Sequence, residues 1–246
     1  MLNNLRRETI EKLQRAVLRK ITRKITHPFS IPATSATNSV LPPKEKKISL
    51  YLPVLDLNTD YTLLQGIDRI YLPLKYFAFR KYDSAIEKIT HSFATYIYMP
   101  TIIKANYSKL IDDNIENALA KYPICGFVVS NLSCMDLLAT YGRSYSFIAS
   151  SGMNLFNRTS IEEIEKPGIK TITFSPELNK EDMLTMLSSP LPVSTELTCY
   201  GKARIMSSNY CLLGVTNKCY PTCGARCTSA EDTYWLKDRL GYAFRI

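Results

Sequence analysis

The chain has 246 residues, 46% of them hydrophobic, and 31 lysines and arginines against 22 acidic residues give it a net charge of +9. This length suits one large α/β domain or two small ones, with enough apolar residues for a sizeable core. No apolar run approaches the ~20 residues that a transmembrane helix needs, and the charged opening has no apolar signal-peptide segment, so the expected compartment is the cytoplasm, where thiols stay reduced.

Residues 2–26 predict an amphipathic helix, with Ile10, Leu13, Val17, Ile21 and Ile25 at three- and four-residue spacing. The basic residues of segment 1–27 fall mostly on the other face and give that segment a charge of +6. Such a helix reads as a solvated face, with nucleic acid or anionic lipid as the sharper alternative partners. A mitochondrial targeting peptide fits poorly, because Glu8 and Glu11 interrupt the basic series. Residues 28–46 hold four prolines and many Ser and Thr without periodicity and read as a linker. The globular part is expected over 47–246.

From there, strands and helices alternate. Strands are expected at 48–54, 66–74, 95–102, 125–131, 144–152, 170–177 and 194–201, and helices at 83–92, 106–121, 133–141, 159–166 and 179–188. The tail from Thr233 reads as a β-hairpin. Seven apolar strands with intervening helices imply a parallel sheet, best fitted by a TIM-like (β/α) barrel or part of one, with a doubly wound open sheet second. There is no G-x-G-x-x-G and no Walker A sequence, which weakens dinucleotide and nucleoside triphosphate readings.

In either architecture ligands sit beyond the carboxyl ends of the strands. Asn131, Ser151, Asn154, Glu177 and Tyr200 fall there, and a cysteine-rich segment, 199–227, follows the last strand. Its Cys211, Cys219, Cys223 and Cys227 are spaced C-x7-C-x3-C-x3-C. Four converging thiolates suit an iron–sulfur cluster or zinc. The gaps match neither the C-x2-C zinc knuckle nor a C-x3-C-x2-C radical motif, and disulfides would need export. Iron–sulfur is the preferred reading, zinc the lesser one. Cys125, Cys134 and Cys199 read as small buried hydrophobes.

His27 and His91 stand outside every motif, so a His-dependent hydrolase triad has no obvious base. Glu177 can act as acid or base if desolvated, or simply cap a strand end; Glu196, within a strand, reads as structural. Asn154 and Asn157 can bind substrate or cap the next helix. Arg204, Lys237 and Arg239 can receive a phosphate or carboxylate, or pair at the surface.

Six segments together resemble peptidase family U-32, the collagenase-like proteins: IDRIYLPL (67–74), GFVVSNLSCMDLL (126–138), GMNLFN (152–157), TFSPELN (173–179), ELTCYGKARIMSSNYCLLG (196–214) and YWLKDRLGYAFRI (234–246). They occur in the family's order and cover 47–246. LNNLRRETIEKL (2–13) is similar to the helix preceding the second unit of long, two-unit members, so the chain reads as the C-terminal part of such a protein, or as the product of a truncated or split gene. The resemblance implies a (β/α) barrel-like fold and, in many members, a cysteine-held [4Fe–4S] cluster. Several relatives hydroxylate RNA bases or a quinone precursor; others carry a protease label. It points to Cys211 as the most secure ligand; joined to the spacing and the strand-end placement, it gives the expectation that Cys211, Cys219, Cys223 and Cys227 hold the cluster while Glu177, Asn154 and Tyr200 line the substrate pocket. The hydroxylase branches have a cysteine where this chain has Arg204, and they run on to a further cysteine past the segment ending here at Ile246, which leaves the fourth ligand open. The expected function is an iron–sulfur enzyme modifying RNA (tRNA or rRNA) or a small aromatic molecule. The rivals are a true protease acting on peptides, or a noncatalytic RNA-binding or assembly module that partners an N-terminal U-32 unit or another subunit.

Overall fold

The computed structural model describes residues 2–21, 46–103, 108–141, 145–202, 204, 206–208, 210, 213–214 and 234–245. The chain divides into two compact units, Met1–Thr37 and Asn38–Ile246. In the first, helix α1 spans Leu2–Ile21, with Arg19 and Lys20 in its last turn where cations complement the helix dipole. An Arg15–Glu11 pair at 3.5 Å adds i,i+4 support. Ile25 and all of the expected linker but Lys46 lie outside the described residues. No described helix is long and apolar enough to cross a membrane.

The second unit is the expected (β/α) barrel-like domain in incomplete form. Its strands are β1 (Ser49–Tyr51), β2 (Arg69–Pro73), β3 (Ala94–Tyr98), β4 (Ile124–Val129), β5 (Ser146–Ala149), β6 (Ile169–Thr173) and β7 (Ser194–Glu196). They form one parallel sheet in chain order, β1 and β7 at its edges. Parallel neighbours need long crossovers, and these carry helices α2 (Asp83–Ser92), α3 (Ser108–Lys121), α4 (Ser133–Leu138), α5 (Arg158–Glu165) and α6 (Lys180–Leu187). An antiparallel hairpin, β8 (Trp235–Lys237) and β9 (Ala243–Arg245), follows as expected.

The helices pack on one face of the sheet. Ile70 and Leu72 of β2, Ile97 of β3, Phe127 and Val129 of β4 and Ile172 of β6 share a single buried cluster with Ile86, Ile89, Ile115, Leu138 and Ile161 from the helices. Phe127 anchors it, stacked 6.1 Å from Phe147 and edge-on to Tyr145 at 5.6 Å. The period-2 alternation of a strand then sends the intervening residues to the opposite face. There a second cluster forms from Tyr71, Tyr96, Val128 and Ile148, with Tyr51 and Tyr98 packed against it.

The sheet is curled around this second face. Its edge strands share no backbone ladder, yet Glu196 of β7 accepts a hydrogen bond from Ser49 Oγ of β1 at 2.8 Å. Side chains thus span the gap between the two edges. Outside the sheet, Asp83 of α2 receives hydrogen bonds from Lys121 and from the Tyr122 hydroxyl (2.9 Å) at the end of α3. Those bonds hold its carboxyl below the usual range.

The strands are shorter than the apolar runs suggest. β7 ends at Glu196, where 194–201 was expected, and Leu197, Cys199 and Tyr200 are exposed beyond it. An edge strand has one neighbour, and once the pairing with β6 ends nothing holds the chain extended.

Candidate active site

The concave face of the sheet is lined by Tyr51, Arg69, Tyr71, Tyr96, Tyr98, Thr173 and Glu196, which the strand registers bring side by side. Glu196 is its hub. Its Oε1 accepts from Tyr71 OH at 2.5 Å and Ser49 Oγ at 2.8 Å and meets Arg69 Nη1 at 3.4 Å; its Oε2 accepts from Thr173 Oγ1 at 3.1 Å. The carboxylate is 18% exposed and the guanidinium 22%, so the pair is partly desolvated. Burial first, and the Glu196 charge second, push the Tyr71 phenol far above its ordinary value. Tyr71 therefore stays protonated and remains a donor. Arg69 also lies over the Tyr96 ring at 5.9 Å.

At the carboxyl ends of the strands the lining turns to hydroxyls and cations. Ser130 and Ser150, just past β4 and β5, are buried with their Oγ atoms 2.8 Å apart. Gly152 lies over them: its N–H donates to Ser150 Oγ at 3.2 Å, and a Cβ there would approach Ser130 Cβ to 3.2 Å. Asn131 donates to the Thr101 carbonyl at 2.7 Å and accepts from Cys134 N at 3.0 Å, fixing the start of α4. After β7 the chain turns at Gly201, whose φ of +120° favours glycine. It then delivers Arg204 to the mouth. Arg204 Nη1 donates to Thr101 Oγ1 at 2.6 Å and Nη2 to Tyr51 OH at 3.2 Å, and the guanidinium carbon lies 5.8 Å from the centre of the Tyr98 ring. Tyr51 and Tyr98 are themselves in contact, centroids 4.6 Å apart.

The model of peptidase family U32 matches residues 58–228. That is well over half of the chain and includes all of the sheet but β1. The chain belongs to peptidase family U32. No protein of curated description and no solved structure matches it.

Within this U32 protein the expected pocket residues sit on three successive carboxyl-end loops. Asn154 follows β5, is exposed, and closes the turn Ser151–Met153 in a left-handed conformation (φ +52°). Glu177 follows β6 and is exposed. Tyr200 follows β7 and stands 99% exposed. Among the described residues no hydrogen bond links the three. Asn157 caps α5, accepting from Ser160 N at 2.8 Å. Cys134 is buried as expected; Cys125 and Cys199 are exposed, contrary to the reading of all three as buried, Cys199 because β7 ends before it. Lys237 and Arg239 lie on the exposed hairpin.

Cys211, Cys219, Cys223 and Cys227 lie outside the described residues. Their chemistry suits a [4Fe–4S] cluster: four thiols within one segment that leaves the mouth of the curled sheet at Arg204. Among the described residues no three His, Cys, Asp or Glu side chains group to hold a metal. A separate cleft of about 350 Å³ between Leu57–Tyr61 and α2 includes neither Glu196 nor Arg204.

The residues that organise the concave face were less legible. Tyr51, Tyr71, Tyr96 and Tyr98 each occupy the inward position of an apolar strand, so period-2 alternation was the available signal. Which face is concave, and that β7 reaches β1 through Glu196, depends on how the sheet curls.

Proposed function

We propose that this U32 protein is an iron–sulfur enzyme that hydroxylates or otherwise modifies a planar aromatic substrate, an RNA base or a small aromatic molecule, at the mouth of the curled sheet. The observation that carries this reading is the mouth itself. Tyrosines from β1, β2 and β3, a guanidinium from beyond β7 and a carboxylate held by four donors converge on one concave surface. Tyrosine rings offer stacking area to a flat ring, and the half-buried rim hydroxyls offer hydrogen bonds to its edge.

Cys211, Cys219, Cys223 and Cys227 would hold the cluster. When bound, the cluster would supply electron transfer or Lewis-acid chemistry beside the substrate. The remaining work falls to this chain's own groups. Tyr71, held protonated, donates its hydroxyl to Glu196 and fixes that carboxylate at the floor. Glu177, Asn154 and Tyr200, exposed on the loops above, would close on a substrate and exclude water.

The family's peptidase name gives the competing reading. His91 is the described histidine, and it lies on α2 with Nδ1 2.7 Å from the Glu87 carbonyl, outside the concave face. Proteolysis here would need a base of another kind.

Iron, acid-labile sulfide and zinc measured in anaerobically purified protein test the proposal. About four iron and four sulfide per chain are expected. Cys211→Ser should lose more than half of the iron with an unchanged circular dichroism spectrum. Protein with stoichiometric zinc, or with no metal and the ability to cleave peptides, would overturn it.

A further inference from the structure

Two cations stand at the mouth of the sheet. Arg204, past β7, rests on the tyrosine pair of β1 and β3. Lys75 stands just past the end of β2, its ammonium 4.9 Å from the centre of the Tyr76 ring. Strand β2 lies between β1 and β3, whose tyrosines seat Arg204, so Lys75 stands on the neighbouring strand end; burial lowers the pKa of its ammonium. Among the described residues neither forms an ion pair with a carboxylate, whereas Arg69, deeper on the same face, has Glu196. Other basic side chains of this unit, Lys121, Arg158, Lys166 and Lys170, are also paired.

Two cations on neighbouring strand ends favour an anion between them. Arg204 is also preorganised to receive one. A guanidinium carries five N–H donors. Two of them go to Thr101 and Tyr51, which fix its plane and leave three for a ligand. A hydroxyl and a phenol anchor it without neutralising it, where a carboxylate would have done both.

We propose that Arg204 and Lys75 form an oxyanion subsite that receives the phosphate or carboxylate carried by the aromatic substrate. The inference rests on the reading of the concave face as a site for an aromatic ring, and it specifies that the ring arrives with a charged group. The forked donors suit either oxyanion bidentately. A phosphate source would be a nucleotide, and a carboxylate source an aromatic acid.

Calorimetric titration of the full chain tests this without need of the cluster. The probes are adenosine 5′-monophosphate against adenosine, 4-hydroxybenzoate against 4-hydroxybenzyl alcohol, and inorganic phosphate as competitor. At least one charged probe should bind tenfold or more tighter than its neutral counterpart. That preference should weaken with added salt, and inorganic phosphate should compete. Whichever charged probe binds more tightly names the source. Arg204→Met and Lys75→Met should each cut the charged probe's affinity about tenfold more than the neutral probe's. Equal affinity for charged and neutral probes, or full retention of the preference in both variants, would overturn the subsite. Loss of iron from the protein with the preference intact would count against the iron–sulfur reading alone.

Discussion

Glu196→Ala is expected to loosen the joint between the two edges of the sheet and lower stability by about 2–3 kcal/mol, since hydrogen bonds to a charged group are worth roughly 1.5–3 kcal/mol and those sharing one carboxylate do not add. The substitution removes at once the acceptor of Ser49 Oγ, Tyr71 OH and Thr173 Oγ1 and the partner of Arg69. Tyr71 keeps Ser49 Oγ at 3.1 Å, and Arg69 keeps the Tyr96 ring. The cost therefore stays below that of a fully buried orphan charge. Glu196→Gln preserves acceptors but not the charge and should cost less than half as much. Urea denaturation of the two variants checks the order.

A pH profile separates the electrostatic part. The Tyr71 pKa is raised in the folded state by burial and by Glu196. The stability linked to it is therefore fully present below the unfolded tyrosine value near ~10 and is lost as pH rises through the folded value. In Glu196→Ala the burial remains and the neighbouring charge is gone, so the alkaline loss should begin at the same pH but be smaller and end at lower pH than in the wild type. An unchanged alkaline limb would mean that Glu196 does not govern Tyr71.

Gly126→Ala should be the most damaging single-methyl substitution in the sheet. A Cβ at Gly126 would lie 1.9 Å from the Ser146 carbonyl oxygen and within 2.9 Å of two further backbone atoms of the same residue. β4 and β5 pair at this position, Gly126 opposite Ser146. The obstacle is backbone, so no side chain can swing aside, and the strands must separate or shift register. Overpacking of this severity costs about 3 kcal/mol or more, a fall of roughly 6–12 °C in Tm for a chain of this size. Gly66→Ala is the control. Its φ of +70° carries a left-handed strain of about 1–2 kcal/mol, but nothing lies within 4 Å of the added carbon. Thermal melts should rank Gly126→Ala well below Gly66→Ala; a reversed order would contradict the close approach of β4 and β5.

The architecture was legible because each strand announces itself by an apolar run and each helix by its stripe and caps. Helix α2 runs over Asp83–Ser92 as its spacing implies, and Asn157 and Asn179 cap α5 and α6. Strand ends were less legible. The apolar character of Leu197 and Cys199 suggested continuation, but extension also requires a pairing neighbour, and β7 lies at the sheet edge. At the site, sequence pointed to loop residues such as Glu177, Asn154 and Tyr200 because polar groups after apolar strands stand out. The Glu196 hub was hidden for the opposite reason. A carboxylate inside a strand reads as structural, and so Glu196 serves here, but the strands it joins depend on the curl that brings β7 against β1 and β2. Arg204 stood out as an anion candidate and as a departure from the cysteine expected by resemblance, but its seat on Tyr51 and Tyr98 comes from three separate strand ends.

In the proposed function a metal cluster and an aromatic site share the mouth of this curled sheet. Anomalous diffraction at the iron edge, from anaerobically grown crystals of the full chain, tests it most directly. One compact iron peak is expected over the carboxyl ends of the strands, ligated by Cys211 and its neighbours in the 211–227 segment. Crystals without iron, or an iron peak remote from that mouth, would contradict it.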